Sequence, residues 1–219
     1  MTKNSLETMS FTPDPFWNEI YNQEAFVYGT LPNEYLAQQA KEYVASGSKV
    51  LCIADGEGRN GVFLAKEHAC EVVAFDSSDV AMAKAQKFSQ ESGVEKQITW
   101  TLSDFDSFPG WQPNTYDAIV GIFIQFADHD MRQRIFSRVL ESLKPGGIFI
   151  LQGYTPKQLE FKTGGPQSLA PCYTEEMIRE LAVGLEIIEL RCYEKELSEG
   201  FKHSGRSALL GLTARKPAV

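Results

Sequence analysis

Histidine, paired cysteine, long apolar runs and clusters of positive charge are all scarce in this chain, and each scarcity removes a class of function. Histidine occurs three times, at His68, His129 and His203. Neither His68 nor His129 has a ligand partner at useful spacing, so no metal is expected. Cys52, Cys70, Cys172 and Cys192 are scattered without C-x-x-C spacing. They read as reduced thiols and not as a disulfide framework or a zinc site. No apolar run reaches bilayer length, and the opening "MTKNSLETMSFTPDPFWNEIY" holds no signal-peptide core. A cytoplasmic chain with no membrane partner is therefore expected. The formal charge of -8, with no Lys/Arg cluster against it, repels polyphosphate and makes a small-molecule partner the expectation, with no nucleic acid.

What is present points to one enzyme-sized unit. At 219 residues, 43% hydrophobic, the chain can bury one large core, so a single domain over residues 1–219 is expected, as a monomer or weak homodimer. From Lys49 onward, short apolar runs alternate with helical patterns: "KVLCIA", "NGVFLAKEH", "EVVAFD", "SSDVAMAKAQKFSQES", "QITWTL", "YDAIVGIF", "DHDMRQRIFSRVLESL" and "IFILQGY". That alternation builds βαβ units and a doubly wound, Rossmann-like α/β sheet with helices on both faces. After the helix "TEEMIRELA" come two long strand patterns, "LEIIELRCYEKEL" and "SALLGLTARK", with no helix between them. They should form an antiparallel hairpin, leaving a mostly parallel sheet whose last strand runs antiparallel. Residues 14–46 form an N-terminal helical cap segment.

Within "VLCIADGEGRNG", Gly56-x-Gly58-x-x-Gly61 has the spacing of a dinucleotide-binding turn. Any adenosine-containing cofactor makes the same demand for small residues and open backbone N–H groups, so the turn alone admits NAD. The antiparallel ending weighs against the double βαβαβ arrangement of an NAD enzyme. A cofactor-binding protein without catalysis is the other alternative. Gly56 and Gly58 allow close backbone approach around Glu57, and the helix beginning near Asn60 offers free N–H groups to a carboxylate. Asp76, at the end of the second strand and beside Ser77, is placed to accept from ribose hydroxyls.

Taken in order, "FWNEIY", "FVYGTLPNEYL", "GEGRNGVFLA", "VVAFDSS", "YDAIVGIF", "LKPGG", "GGP" and "ARKP" resemble the class I S-adenosylmethionine-dependent methyltransferases, and within them the tellurite-resistance and thiopurine-type small-molecule branch. The resemblance implies a seven-stranded sheet, S-adenosyl-L-methionine as cofactor, and methyl transfer to a small nucleophile such as a thiol or a chalcogen oxyanion. It implies that Asp104 and Phe105 read the adenine, that Gly121, Ile122 and Gln125 line the opposite face, and that Tyr28 with Gly29 covers the site beside Trp17 and Tyr21. It also implies substrate roles for His203, as a proton acceptor, and Arg206, as an anion clamp, in the final hairpin turn. The family's first-strand acid is missing, replaced by Cys52 and then Ala54, and Asp55 is the expected stand-in toward the methionine ammonium.

Overall fold

The computed structural model describes residues 11–218. A helix α1 (Pro15–Tyr21) and a helix α2 (Glu34–Tyr43) precede the alternating region. That region runs β1 (Lys49–Ile53), α3 (Arg59–His68), β2 (Glu71–Asp76), α4 (Asp79–Glu91), β3 (Ile98–Leu102), β4 (Tyr116–Ile122), α5 (His129–Ser142) and β5 (Leu143–Tyr154). A short α6 (Gln158–Phe161), which the sequence pattern did not announce, precedes α7 (Glu175–Leu181), and the hairpin β6 (Glu186–Glu199) and β7 (His203–Arg215) closes the chain. The seven strands form one sheet in the order β3-β2-β1-β4-β5-β7-β6, with β7 antiparallel to both its neighbours and the β1 to β5 pairs parallel. The mostly parallel sheet with an antiparallel last strand is the architecture expected from the pattern.

Local chemistry places the boundaries. Ser78, Asp128 and Thr174 each cap a helix by accepting from the backbone N–H three residues on. Gly93, in the left-handed region at φ +72°, ends α4 as its position after the helical pattern suggested. Both faces of β1 are buried, and alternation sorts its residues. Leu51 and Ile53 join the cluster containing Phe149 and Ile119, whereas Val50 and Cys52 join Leu36, Val62 and Leu64 under α2 and α3. Cys52, standing where the family's acid is expected, is thus part of an apolar layer and 1% exposed.

Two boundaries differ from expectation. The hairpin strands are longer than their apolar cores, so the turn narrows to residues 200–202, and His203 and Arg206 lie on β7 itself. β5 begins at Leu143, not after Gly147, because Leu143 pairs with Tyr116 across a register shift before the main ladder starts at Ile148.

Candidate cofactor and acceptor site

β1 pairs with β2 on one side and β4 on the other, so the crossovers leave in opposite directions and open a crevice at the carboxyl ends of these strands. A cavity of about 520 Å³ occupies it. Its lining includes the expected Tyr28, Asp55, Gly56, Asn60, Asp76, Ser77, Asp104, Phe105, Ile122 and His203, together with Trp17 and Tyr21.

The turn after β1 climbs through three left-handed residues, Ala54 (φ 48°), Gly56 (φ 58°) and Gly58 (φ 86°). The two glycines do different work. A Cβ on Gly56 would stand 2.6 Å from the Tyr21 hydroxyl at the cavity wall. One on Gly58 would stand 2.7 Å from the Trp100 ring and 2.9 Å from Ala85 Cβ, so Gly58 makes room for α4 and β3 and does not line the cavity.

Both carboxylates beside the turn are organised by backbone donors. Gly56 N–H donates to Asp76 Oδ2 at 2.8 Å and Ser78 N–H to Oδ1 at 2.9 Å. A carboxylate has about four lone-pair directions, so acceptor capacity remains on Asp76 at the cavity wall. Burial pushes its pKa up to about 6 against the pull of those N–H groups. Asp55 Oδ2 accepts from Gly61 N–H at 3.0 Å, in the first turn of α3. Loss of hydration raises its pKa to about 7, opposed by the Gly61 bond and by Arg59. Asp55 therefore sits on the helix N-terminus that the sequence offered to a ligand carboxylate.

Beyond β3, Asp104 lines the cavity while its Oδ1 accepts from Ser107 N–H at 2.7 Å, and Asp106 pairs instead with Arg134 at the surface. Phe105 is buried, and its carbonyl accepts from the Trp111 indole.

Five expected cofactor residues stand off the cavity wall. Gly58 is explained above. Glu57 turns away and accepts from Val27 N–H (2.7 Å), Tyr28 N–H (3.4 Å) and Lys84 (2.8 Å), fastening the N-terminal segment to the turn. Gly29 lies against the hairpin turn, where its Cβ would be 3.3 Å from Gly200 N, so close backbone packing and not a ligand requires it. Gly121 packs on Ile124 and Leu151. Gln125 is spent on the backbone, its Oε1 accepting from Tyr154 N–H and its Nε2 donating to the Tyr154 and Pro171 carbonyls.

The hairpin divides similarly. Arg206 is largely exposed, binds Glu194 with both Nε and Nη2 and lies over the Phe161 ring, off the cavity wall. Its guanidinium is engaged there and not turned toward the crevice. His203 faces the cavity inside an aromatic box, with ring centroids 4.1 Å from Phe123, 4.4 Å from Tyr28 and 5.6 Å from Tyr154. Burial first, and the Arg59 charge second, push its pKa down to about 3. The imidazole is held neutral, a hydrogen-bonding group and a weak base at the place where the resemblance implies a proton acceptor.

Several wall residues escaped the sequence reading. Arg59 lines the cavity, pairs with Glu199 at 2.8 Å and leaves a buried Nη1 without a partner. Its sequence signal was a cation at the first helical residue, where the helix dipole disfavours one. Phe123, non-glycine at φ 56°, and Phe126 and Met131 complete an apolar side. Asp14 also faces in, near the point where its N–H donates to the Ser77 carbonyl. Among the described residues no group of three His, Cys, Asp or Glu is placed to hold a metal, and no helix is long and apolar enough to cross a membrane.

Residues 50–147 match the family described as Methyltransferase domain. A sterol 24-C-methyltransferase of Candida albicans is 24% identical over 134 residues, which are 61% of this chain and 35% of that protein. The chain spans about a third of the length of the sterol methyltransferases it matches. Among solved structures, one concerned with conversion of a disulfide bond into a thioacetal group during echinomycin biosynthesis superimposes with a TM-score of 0.74 at 13% identity, covering 93% of this chain and 92% of the other. TehB from Haemophilus influenzae superimposes with a TM-score of 0.67 at 19% identity, over 92% and 66%. These likenesses share the fold. The cavity fits the cofactor that the family implies: acceptor capacity on Asp76, a carboxyl at Asp55, the apolar Phe105 beside Asp104, and a turn too tight at Gly56 for a side chain. Residues 50–147 thus match a methyltransferase domain, the chain as a whole shares the fold of these solved structures, and the wall of its cavity fits S-adenosylmethionine.

Proposed function

We propose that the protein transfers a methyl group from S-adenosylmethionine to a small-molecule nucleophile, and that the acceptor is a thiol on an apolar body in preference to a chalcogen oxyanion. The observation that carries this reading is the composition of the cavity wall. Its charged side chains are Asp14, Asp55, Asp76, Asp104 and Arg59, and Arg59 is already neutralised by Glu199. A field of that sign suits a sulfonium and an ammonium and disfavours a small multivalent anion. Trp17, Phe123, Phe126 and Met131 offer apolar surface to the body of an acceptor.

S-adenosylmethionine supplies an electrophilic methyl group on a positively charged sulfur. The chain's part is binding and alignment, and orientation alone supplies roughly 7–11 kcal/mol of a displacement barrier. Asp76 accepts from the ribose hydroxyls with its unused lone pairs, Asp104 and Phe105 take the adenine, and Asp55 receives the ammonium. Tyr28 and Trp17 cover the site and exclude water. His203, neutral at physiological pH, hydrogen-bonds the nucleophile without carrying its proton away. A thiol of pKa about 8.5 supplies its own thiolate fraction, so no strong base is required.

Two measurements test this. S-adenosylhomocysteine should raise the unfolding temperature while NAD and NADP leave it unchanged. With a labelled methyl donor, apolar thiols should be methylated faster than selenite or tellurite, and the reverse order would overturn the acceptor assignment.

A further inference from the structure

Arg59 is a charged wall residue for which the roles above leave no task. It is the first residue of the ten-residue helix α3, it is 6% exposed, and its guanidinium crosses from the Gly-rich turn to the far end of β6, where Nη2 meets Glu199 Oε2 at 2.8 Å. Its Nη1 is buried and has no partner. An N–H donor shut away from water costs about 1–3 kcal/mol when unsatisfied, so an orphan on a cavity wall marks a position where a ligand oxygen belongs.

The second observation concerns the place where such an oxygen would otherwise go. In a strand-turn-helix cofactor site, a ligand carboxylate settles on the free N–H groups of the helix. Here the Asp55 carboxyl already accepts from Gly61 N–H in that first turn. A second carboxylate beside it would face like charge at close range. Arg59, close enough to Asp55 to pull its pKa downward, is the only cation on the wall among the described residues.

We propose that Arg59 Nη1 is the carboxylate clamp for the amino-acid end of the cofactor, with Asp55 and Arg59 holding the ammonium and the carboxylate of one zwitterion. This rests on the reading of the cavity as a cofactor site and assigns a binding residue within it. The same orphan donor could instead receive a carboxylate borne by the acceptor, and the two sources are separable. Among the described residues the arrangement also leaves the acceptor end without a free cation, which links the clamp to the thiol preference.

The test uses the whole protein and reads binding, not turnover. Calorimetry compares S-adenosylmethionine with decarboxylated S-adenosylmethionine, which keeps the adenosine, the sulfonium and the amine and lacks only the carboxylate. Wild type should bind the decarboxylated form about 10- to 100-fold more weakly, the worth of a charge-assisted hydrogen bond. Arg59→Gln alone strands Glu199, so Arg59→Gln/Glu199→Gln keeps the buried site neutral and paired. That variant should lose the discrimination: weaker binding of S-adenosylmethionine, unchanged binding of the decarboxylated form. Equal weakening of both ligands would make Arg59 a structural residue and overturn the clamp. Unchanged cofactor affinity with a raised acceptor KM would move the carboxylate to the acceptor and overturn it too. Failure of wild type to bind either ligand would remove the cofactor reading and the clamp with it.

Discussion

The two ends of the crevice are built by opposite means. At the β1 to β3 end, the groups that face the cavity come from three strand ends and their own turns, and their contacts are short in sequence: Asp55 to Gly61, Asp76 to Ser78, Asp104 to Ser107. At the hairpin end, partners come from everywhere. Arg59 meets Glu199, Asn33 reaches Glu199 and Gln152, Glu57 catches Val27, and Tyr28 packs on His203. The first end is a local consequence of βαβ geometry, whereas the second exists only once the N-terminal segment and the last strands have docked. The adenosine half should therefore fail by local strain, and the acceptor half by undocking.

Gly58→Val should have the largest effect and break the first end outright. It forces a branched side chain into positive φ and into Trp100 and Ala85 at once. A loss of about 3 kcal/mol in urea unfolding is expected from overpacking and backbone strain together. Because the damage lies under α4 and not on the cavity wall, the variant should still bind S-adenosylhomocysteine when folded at low temperature. Abolished binding in a fully folded Gly58→Val protein would return that glycine to the ligand surface.

Asp76→Ala comes next, and it should separate binding from stability. The variant loses the proposed ribose acceptor, an expected cost of about 1.5–3 kcal/mol in cofactor affinity by calorimetry. It also frees Gly56 and Ser78 N–H groups, so a smaller drop in unfolding temperature is expected. The hairpin half, read by the exposure of Cys192 to a thiol reagent, should not change. Cofactor affinity equal to wild type would exclude Asp76 from the site.

A subtler difference between the two ends is the sign of their pH dependence. Asp55 has a folded pKa near 7, above its unfolded value near 4. Its contribution to stability is complete below about pH 4 and is lost as pH rises through 7. His203 has a folded pKa near 3, below its unfolded value of 6.5, so stability is lost as pH falls below about 6.5 toward 3. Asp55→Asn keeps an oxygen for Gly61 N–H and removes only the first of these trends. In ligand-free protein the variant should be more stable than wild type at pH 8, with the gap closing toward pH 4. A gap independent of pH would mean that Asp55 is ionised throughout. Cofactor binding above pH 7 should weaken in the same variant, since the ammonium loses its carboxylate.

What the sequence made legible follows the same division. The order of elements, the Gly-x-Gly turn and the cavity position of Asp76 could be read from spacing, because strand ends and turns of this fold present residues at fixed offsets, whereas Asp104 and Phe105 came from the family resemblance. Glu57 and Gln125 were misplaced because a polar side chain near a site is equally useful for tying distant backbone, and both are consumed that way. Gly29 carried a real signal of close approach, but the neighbour is Gly200, far along the chain. Arg59 and Phe123 were passed over: one lies inside the motif but finds its partner 140 residues away, and the other owes its place to a left-handed backbone that no local pattern announces.

Arg206 and His203 make the smallest contrast and the sharpest one, because only two residues of β7 separate two side chains that the hairpin sends to different surroundings. Arg206 holds Glu194 in solvent, and an exposed pair of that kind contributes little to stability or to a distant site. Arg206→Ala should leave cofactor affinity, acceptor KM and kcat close to wild type, for charged and uncharged acceptors alike. His203→Ala removes a neutral partner from the box of Tyr28, Phe123 and Tyr154. It should raise acceptor KM and lower kcat/KM about 10-fold, the worth of roughly one hydrogen bond, with cofactor affinity retained. Because the imidazole titrates near 3, that penalty should be the same from pH 6 to pH 8. A penalty that grows as pH falls from 8 to 6 would show that a bound acceptor raises the pKa of His203 and makes it a base. A loss of anionic-acceptor turnover in Arg206→Ala would show that the end of the hairpin bends into the crevice during catalysis.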